Sequence, residues 1–519
     1  MYSDYLDNLA DNRARSNADV RSWLYWVGGA AFVLVSVSVF LINTNHGIGV
    51  LSDSTRYMSL TERPYDAPLY PWLLQLASWL GVDLDRSTKA IGLILVSANT
   101  AIIWHLLVRA TGKYAYAAVG TAVVVLYPVF VALHASAMSE PLFLFTLLVT
   151  LMALLRYLDT EARVWLVACA VVLALATLTR FTAPPLGAAI ALVFLFNPRF
   201  SLGRRIGDAF ILGAVSAALF LSWVVISQIT AGHSIGRALW FYGNMGLKEW
   251  LTSLEALAAW LFPDQVPFSA RVVVFGLFAL AAAGLTILHA CLTLRHARET
   301  KVVDALLPAI LGLFFIFYMG FMVLSTSIEA NLALNGRYAF PAYVMTVLMI
   351  TIVLADFDGA KGFVKVLHHG LVGLAVLVLV SHAVRTTVRS QEAYRSGIGY
   401  ASVAWATSPT IETLRQLPAS AALYSNGADV IAYVLKRPAH FIPQHVELRT
   451  GLEDPAKPFE AGMQRLRENL AKPDSYVVMF DNVDWRFYQV TEAELKQRLS
   501  LVAVTTKPDG RVYALPKTP

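Results

Sequence analysis

Runs of apolar residues about one bilayer thick recur along most of this chain, and no other feature restricts its fold as strongly. They lie at about 22–42, 88–108, 114–133, 141–158, 164–179, 183–197, 206–230, 272–294, 304–327, 340–356 and 368–384. A helix needs about 20 such residues to cross the hydrocarbon core, where every backbone N–H and C=O must find its partner within the protein. The run at 183–197 is short and opens on Pro184 and Pro185. A single span could not bring a chain to 57% hydrophobic and 15% charged residues, because soluble domains carry about 25% charged. The expectation is a polytopic α-helical membrane protein with about eleven transmembrane helices. The net charge of +6 sits between apolar runs, where it orients helices and gives no sign of a nucleic-acid partner.

Lysine and arginine alternate from one set of loops to the other. Arg13, Arg15 and Arg21, then Arg109 and Lys113, Arg156 and Arg163, Arg199, Arg204 and Arg205, Arg295, Arg298 and Lys301, and Lys361 and Lys365 fall in every second connection. The short loops between carry none (134–140) or one, Arg180 or Arg337. The positive-inside rule then puts the N-terminus inside and the C-terminal region outside. The first apolar run lacks a clear cleavage site and reads as a retained anchor. Cys169 and Cys291 both fall within apolar runs and read as packing residues.

Residues 1–389 form the expected membrane domain, with two long outer loops at 43–87 and 231–271. Both carry tryptophan-rich amphipathic patterns. In the first, Leu69, Trp72, Leu73, Leu76 and Leu80 share one helical face, which suits either the membrane interface or packing on neighbouring spans. From about 390 the composition becomes soluble. Helix-like "IETLRQL", "ADVIAYVLKR", "AGMQRLRENL" and "EAELKQRL" alternate with strand-like "AALYSN", "AHFIP" and "SYVVMF", and "LVAVTTKPDGRVYAL" reads as two strands about a turn. The region 390–519 is expected to be a small α/β extracytoplasmic domain. It has no glycine-rich phosphate loop and no metal-ligand spacing such as H-E-x-x-H, and the chain shows no internal repeat.

Ionisable residues collect at the expected outer ends of the spans: Asp53, Arg56, Glu62, Arg63, Arg86, Lys89, Glu140, Arg180, Glu329 and Arg337. Each has an ordinary explanation. A carboxylate after a span is usually a solvated loop residue, Ser139-Glu140-Pro141 fits a helix start, and a lone arginine can snorkel to lipid headgroups. Together they suggest more, because charges held at that depth by short loops are costly unless they face a cavity or a partner. A carboxylate can take a proton from an acceptor hydroxyl. Cations stabilise charge growing on a departing phosphate. An interfacial helix gives a long-chain lipid access to such a site. The set suits transfer of a sugar from a lipid phosphate.

The span followed by "SDSTRY" and a Pro/Trp-rich helix resembles the first extracytoplasmic loop of the GT-C membrane glycosyltransferases, in particular the protein O-mannosyltransferase branch and its bacterial relatives that include the lipid A aminoarabinose transferase. The segments "HASAMSEPLFLFTLLVTLMALLRY", "LALATLTRFTAPPLGAAIALVFLF" and "NGRYAFPAYV" extend the likeness over about residues 20–350. The resemblance implies a GT-C-like fold and a catalytic role for Asp53, with Arg56 near it and Glu140 as second acidic residue. Arg337 with Tyr338 falls where an Arg-Tyr pair precedes a late span. This chain has Asp53-Ser54 where the mannosyltransferases often have Asp-Glu.

The expected activity is an inverting glycosyltransferase of the bacterial inner membrane that uses a polyprenyl-phosphate sugar and faces the periplasm. Asp53 and Glu140 would be catalytic. Arg56, Arg180, Arg337 and Lys89 would bind the donor phosphate, and Tyr57 and Tyr338 the substrate. A divalent cation is an open possibility. The acceptor can be protein, lipid or polysaccharide. A lipid-pyrophosphate-dependent oligosaccharyltransferase or ligase is the alternative. A transporter or flippase fits less well, because the spans have few charges at their centres.

Overall fold

The computed structural model describes residues 22–61, 66–231, 240–296 and 306–516. Arg13, Arg15, Arg21, Glu62, Arg63, Arg298 and Lys301 lie outside the described residues, as does the segment 232–239 of the second long loop.

Each apolar run of the sequence is helical over most of its described residues. The chain begins α1 (Ser22–Asn43), α2 (Ser52–Tyr57), α3 (Leu69–Trp79) and α4 (Leu84–Thr111). It continues α5 (Tyr114–Val125), α6 (Pro128–His134), α7 (Glu140–Thr160), α8 (Arg163–Thr179), α9 (Pro184–Phe196) and α10 (Leu202–Ala231). Then come α11 (Leu247–Ala258), α12 (Phe268–His296), α13 (Leu307–Ile328), α14 (Gly336–Asp356) and α15 (Gly362–Ser396). Among the described residues eight helices are long and apolar enough to cross a membrane, and nine if the bent pair α5–α6 is one span. That pair is bent by 60°. The break precedes Pro128, which has no N–H to give and holds Tyr127 in an extended conformation. The helices α8 and α9 are apolar but shorter, and with these two every run is accounted for.

The charged ends segregate. Arg109 pairs with Asp159 at 2.8 Å, Lys113 with Asp358 at 2.8 Å and Arg204 with Glu161 at 2.7 Å. These groups lie at the C-terminal ends of α4, α7 and α14 and the N-terminal end of α10. Asp53, Glu140, Arg180 and Arg337 lie at the opposite ends of the bundle. The two sets of loops separated by the arginine count are thus separated in space.

Helix α3 packs Tyr70 and Leu74 inward, while Trp72, Leu76, Trp79 and Leu80 are exposed. Leu247, Trp250 and Leu251 of α11 are exposed in the same way. An apolar face left bare beside a set of spans is the signature of a helix lying in the interface.

The last long helix carries on to Ser396, past the composition change near 390. Beyond it α16 (Val403–Ala406), α17 (Pro409–Arg415), α18 (Ala428–Val434), α19 (Phe459–Leu470) and α20 (Glu492–Leu499) surround a five-stranded sheet. Its strands are β1 (Ala422–Ser425), β2 (His440–Phe441), β3 (Ser475–Phe480), β4 (Val502–Lys507) and β5 (Gly510–Ala514), in the order β2-β1-β3-β5-β4. The first three are parallel, and β4 and β5 form an antiparallel hairpin beside β3. Each expected strand and helix of this region is present.

Three remote segments meet where this domain joins the bundle. Gly49 donates to the Ala135 carbonyl and accepts from Ala137, both at 2.8 Å, and Tyr400 donates to the Val50 carbonyl at 2.8 Å. Gly399 has φ +59°, and a Cβ there would lie 2.1 Å from the Val50 oxygen, so only glycine allows the approach. The loop that leads to Asp53 is thereby fixed to the loop that leads to Glu140 and to the start of the soluble domain.

Candidate active site

The residues that form the site come from four separate helix ends. In α2 the Ser54 hydroxyl accepts from the Leu51 N–H at 3.0 Å, and the Thr55 hydroxyl donates back to the Ser52 carbonyl. These local bonds start a helix of one and a half turns and place Asp53 in its first turn. Glu140 is the first residue of α7, and Pro141 follows it where a missing N–H costs nothing. Arg180 is extended and ends α8 ahead of Pro184 and Pro185. Asn335 caps α14 by accepting from the N–H groups of Arg337 and Tyr338 at 3.0 and 3.1 Å, which sets both side chains in the first turn.

These ends converge on a chain of ion pairs. Arg337 bridges the two carboxylates: Nη1 lies 2.5 Å from Asp53 Oδ2, and Nε donates to Glu140 Oε1. Arg180 Nη1 is 2.8 Å from the same Glu140 oxygen and 3.2 Å from Ser139 Oγ. Arg56 Nη2 is 2.7 Å from Asp53 Oδ1, and its Nε is 3.1 Å from Asp66 Oδ2. The Glu140 side chain is 1% exposed and that of Asp53 25%. Glu140 Oε2 has no hydrogen-bond partner among the described residues.

Tyr338 lays its ring against both cations, 5.6 Å from the Arg180 guanidinium and 5.7 Å from that of Arg337. The Tyr57 hydroxyl accepts from Ser139 at 3.5 Å. Burial raises its pKa, and the carboxylates Asp66 and Asp53 add to the rise, so the phenol stays neutral. For Asp53 burial also acts upward, but Arg337 and Arg56 outweigh it and hold the carboxyl well below the usual carboxylate range.

Asp53, Arg56, Tyr57, Arg180, Arg337 and Tyr338 line one cleft of about 1920 Å³, counted to its open mouth. Phe181, Phe220, Phe321, Met322, Ile328 and Leu332 supply its apolar wall. A second chamber of about 2230 Å³ lies against the soluble domain, with Tyr424, His440, Phe441, Lys457, Arg465 and Trp485 in its lining. Asp53 and Arg56 border both. The site is a pass between a membrane-side cleft and a chamber under the α/β domain.

Lys89 does not belong to this group. It lies within α4, and its ammonium donates to the Thr44 carbonyl at 2.8 Å, closing the C-terminal end of α1 away from the cleft lining. Asp66 and Arg449, which the sequence left unmarked, do line the cleft and stand 3.9 Å apart. Glu329 is at its edge. Asp53 and Glu140 are both engaged by arginine, and among the described residues no three His, Cys, Asp or Glu side chains come together as a metal site. Three arginines around these carboxylates suit an anion.

The dolichyl-phosphate-mannose-protein mannosyltransferase family matches residues 63–226. No curated protein matches the chain in sequence. Among solved structures, ArnT from Cupriavidus metallidurans in the apo state has a TM-score of 0.56 at 15% identity, over 94% of this chain and 97% of that one. ArnT bound to undecaprenyl phosphate gives 0.54 at 14%, over 96% and 99%. The chain has the same fold as ArnT. The arabinofuranosyltransferase AftD from Mycobacteria is similar in fold at a TM-score of 0.53 and 15% identity, over 96% of this chain and 40% of AftD. The pass between the two chambers is the candidate active site.

Proposed function

We propose that the protein transfers a sugar from a polyprenyl-phosphate donor to an acceptor hydroxyl, with inversion at the sugar carbon. One observation carries the reading: Asp53 and three arginines line a cleft with an apolar wall, with the buried Glu140 paired to two of those arginines behind it. The polyprenyl chain lies along that wall, and the phosphate meets Arg337, Arg180 and Arg56. ArnT, of the same fold, binds undecaprenyl phosphate, which supports a lipid carrier of this kind.

The acceptor enters by the chamber under the soluble domain. Asp53 takes the proton of its hydroxyl as the oxygen attacks the sugar carbon. The bond from that carbon to the phosphate oxygen breaks, and the lipid phosphate leaves with its charge spread over the arginines. Before the donor arrives, Arg337 and Arg56 make Asp53 a weak base. A bound phosphate competes for Arg337, and the carboxyl recovers basicity when it is needed. Glu140, buried behind the lining of both chambers, keeps Arg180 and Arg337 in place.

The soluble domain and the site occupy the outer side of the membrane, which for a bacterial source is the periplasm. The deciding experiment incubates the purified full-length protein with labelled polyprenyl-phosphate sugars and membrane extract. Label should move to an acceptor with release of polyprenyl phosphate. A protein that releases no lipid phosphate from any monosaccharide donor, yet turns over a lipid-pyrophosphate glycan, would refute this reading.

A further inference from the structure

An ion pair inside the soluble domain reaches across to the helix that carries Asp53. Arg486 and Asp429 pair at 2.6 Å, and both side chains are nearly buried. Tyr400 donates its hydroxyl to the same Asp429 oxygen at 2.8 Å. The guanidinium of Arg486 sits against the rings of Phe441 and Trp485, 4.5 and 4.2 Å from their centroids. So held, Arg486 Nη2 also donates to Ser52 Oγ at 3.1 Å. Ser52 is the first residue of α2, and Asp53 is the next.

Helix α2 has six residues, too few to hold its own conformation in water. Its entry is fixed from the soluble domain by the Tyr400–Val50 backbone bond, and its first hydroxyl by Arg486. Arg486 borders the second chamber, and its charge is paired with Asp429 and not with Asp53. We propose that Arg486, oriented by Asp429 and its aromatic neighbours, is a positioning residue for Asp53, so that the soluble domain sets the aim of the catalytic carboxylate. The proposal rests on the role given to Asp53 above.

The test uses the full-length protein with Ser52→Ala, Arg486→Lys and the double variant. Ser52→Ala leaves the Arg486–Asp429 pair intact, and Arg486→Lys keeps a charge for Asp429 while losing the flat guanidinium that stacks on Phe441 and Trp485 and aims Nη2 at Ser52. A small misplacement of a reacting group costs rate far more than binding, on the order of 10²-fold for 1 Å. Each single variant should lower kcat about tenfold with the KM for the polyprenyl-phosphate sugar nearly unchanged. The double variant should be no slower than the slower single one, since both remove one contact. Amide exchange at residues 51–58 should quicken in each, with α7 and α14 unaltered. Unchanged exchange at 51–58, unchanged kcat, or additive losses would each overturn the proposal. A wild-type protein that turns over no polyprenyl donor would instead refute the glycosyltransferase reading, and the exchange measurement alone would then decide whether Arg486 holds α2.

Discussion

Replacing Asp53 by Asn removes the basic oxygen at nearly constant volume. The carboxylate takes bonds from Arg337 at 2.5 Å and Arg56 at 2.7 Å. The amide that replaces it keeps one carbonyl for one arginine and turns an NH2 group toward the other. A lost bond of this charged kind is worth about 1.5–3 kcal/mol, a cost visible in a thermal melt and too small to unfold a bundle of this size. The rate should suffer more. A general base contributes about 10²–10⁴-fold, or about 2.7–5.4 kcal/mol of barrier. Donor KM should not rise, because Arg56, Arg180 and Arg337 all remain and one has been freed. The assay is transfer of labelled sugar from a polyprenyl-phosphate donor by protein in nanodiscs, with donor binding and melting measured on the same preparation. An Asp53→Asn protein that is folded, binds donor and transfers at nearly the wild-type rate would refute the base role. Asp66, a second carboxylate in the cleft lining and a partner of Arg56, would then be the candidate.

Arg337→Ala should raise donor KM and lower kcat together, because it removes charge that meets the phosphate both before and during bond breaking; a variant with only one of the two altered would count against that role. The acid limb of kcat/KM should lie below the ordinary carboxylate range of about 3.9: the folded pKa of Asp53 is lowered, so its anion survives mild acid and is lost only as the pH falls through that lowered value. Arg56→Gln should move that limb to higher pH, and an unmoved profile would mean that another group titrates. A reporter that fluoresces only in the cytoplasm should stay dark when fused after residue 400, and a bright fusion would reverse the assigned sidedness.

Much of the architecture was legible because lipid leaves a backbone so few options. Each apolar run had to be a helix, and each expected element of the soluble domain is present. The kink at Pro128 was not foreseen, since a run of hydropathy does not register one missing N–H. At the site, Glu140, Arg180 and Arg337 stood out because short loops held charges at span ends, and Asp53 because it follows the first span in a segment that resembles a known catalytic loop. Lys89 stood out by location alone and lies elsewhere: α4 begins at Leu84, so Lys89 already belongs to a helix and spends its ammonium on the end of α1. Asp66 and Arg449 gave no local signal, because their meaning comes from a contact across nearly the whole chain. Asp429 and Arg486 gave a faint one, a carboxylate within "ADVIAYV" and an arginine within "DWRFY", both in settings where a charge is out of place without a partner.

The bridge made by Arg337 also bears on how the chain is made. Asp53 has Arg56 three residues later, and Glu140 has Arg180 forty residues later in a loop on the same side. Each carboxylate can therefore be neutralised soon after it leaves the ribosome, long before Arg337 is synthesised. Insertion of the early helices need not wait for the late ones. Only when α14 enters does a single cation join the two local pairs, so an intermediate that stalls before α14 would hold two separate, neutral pairs and no active site.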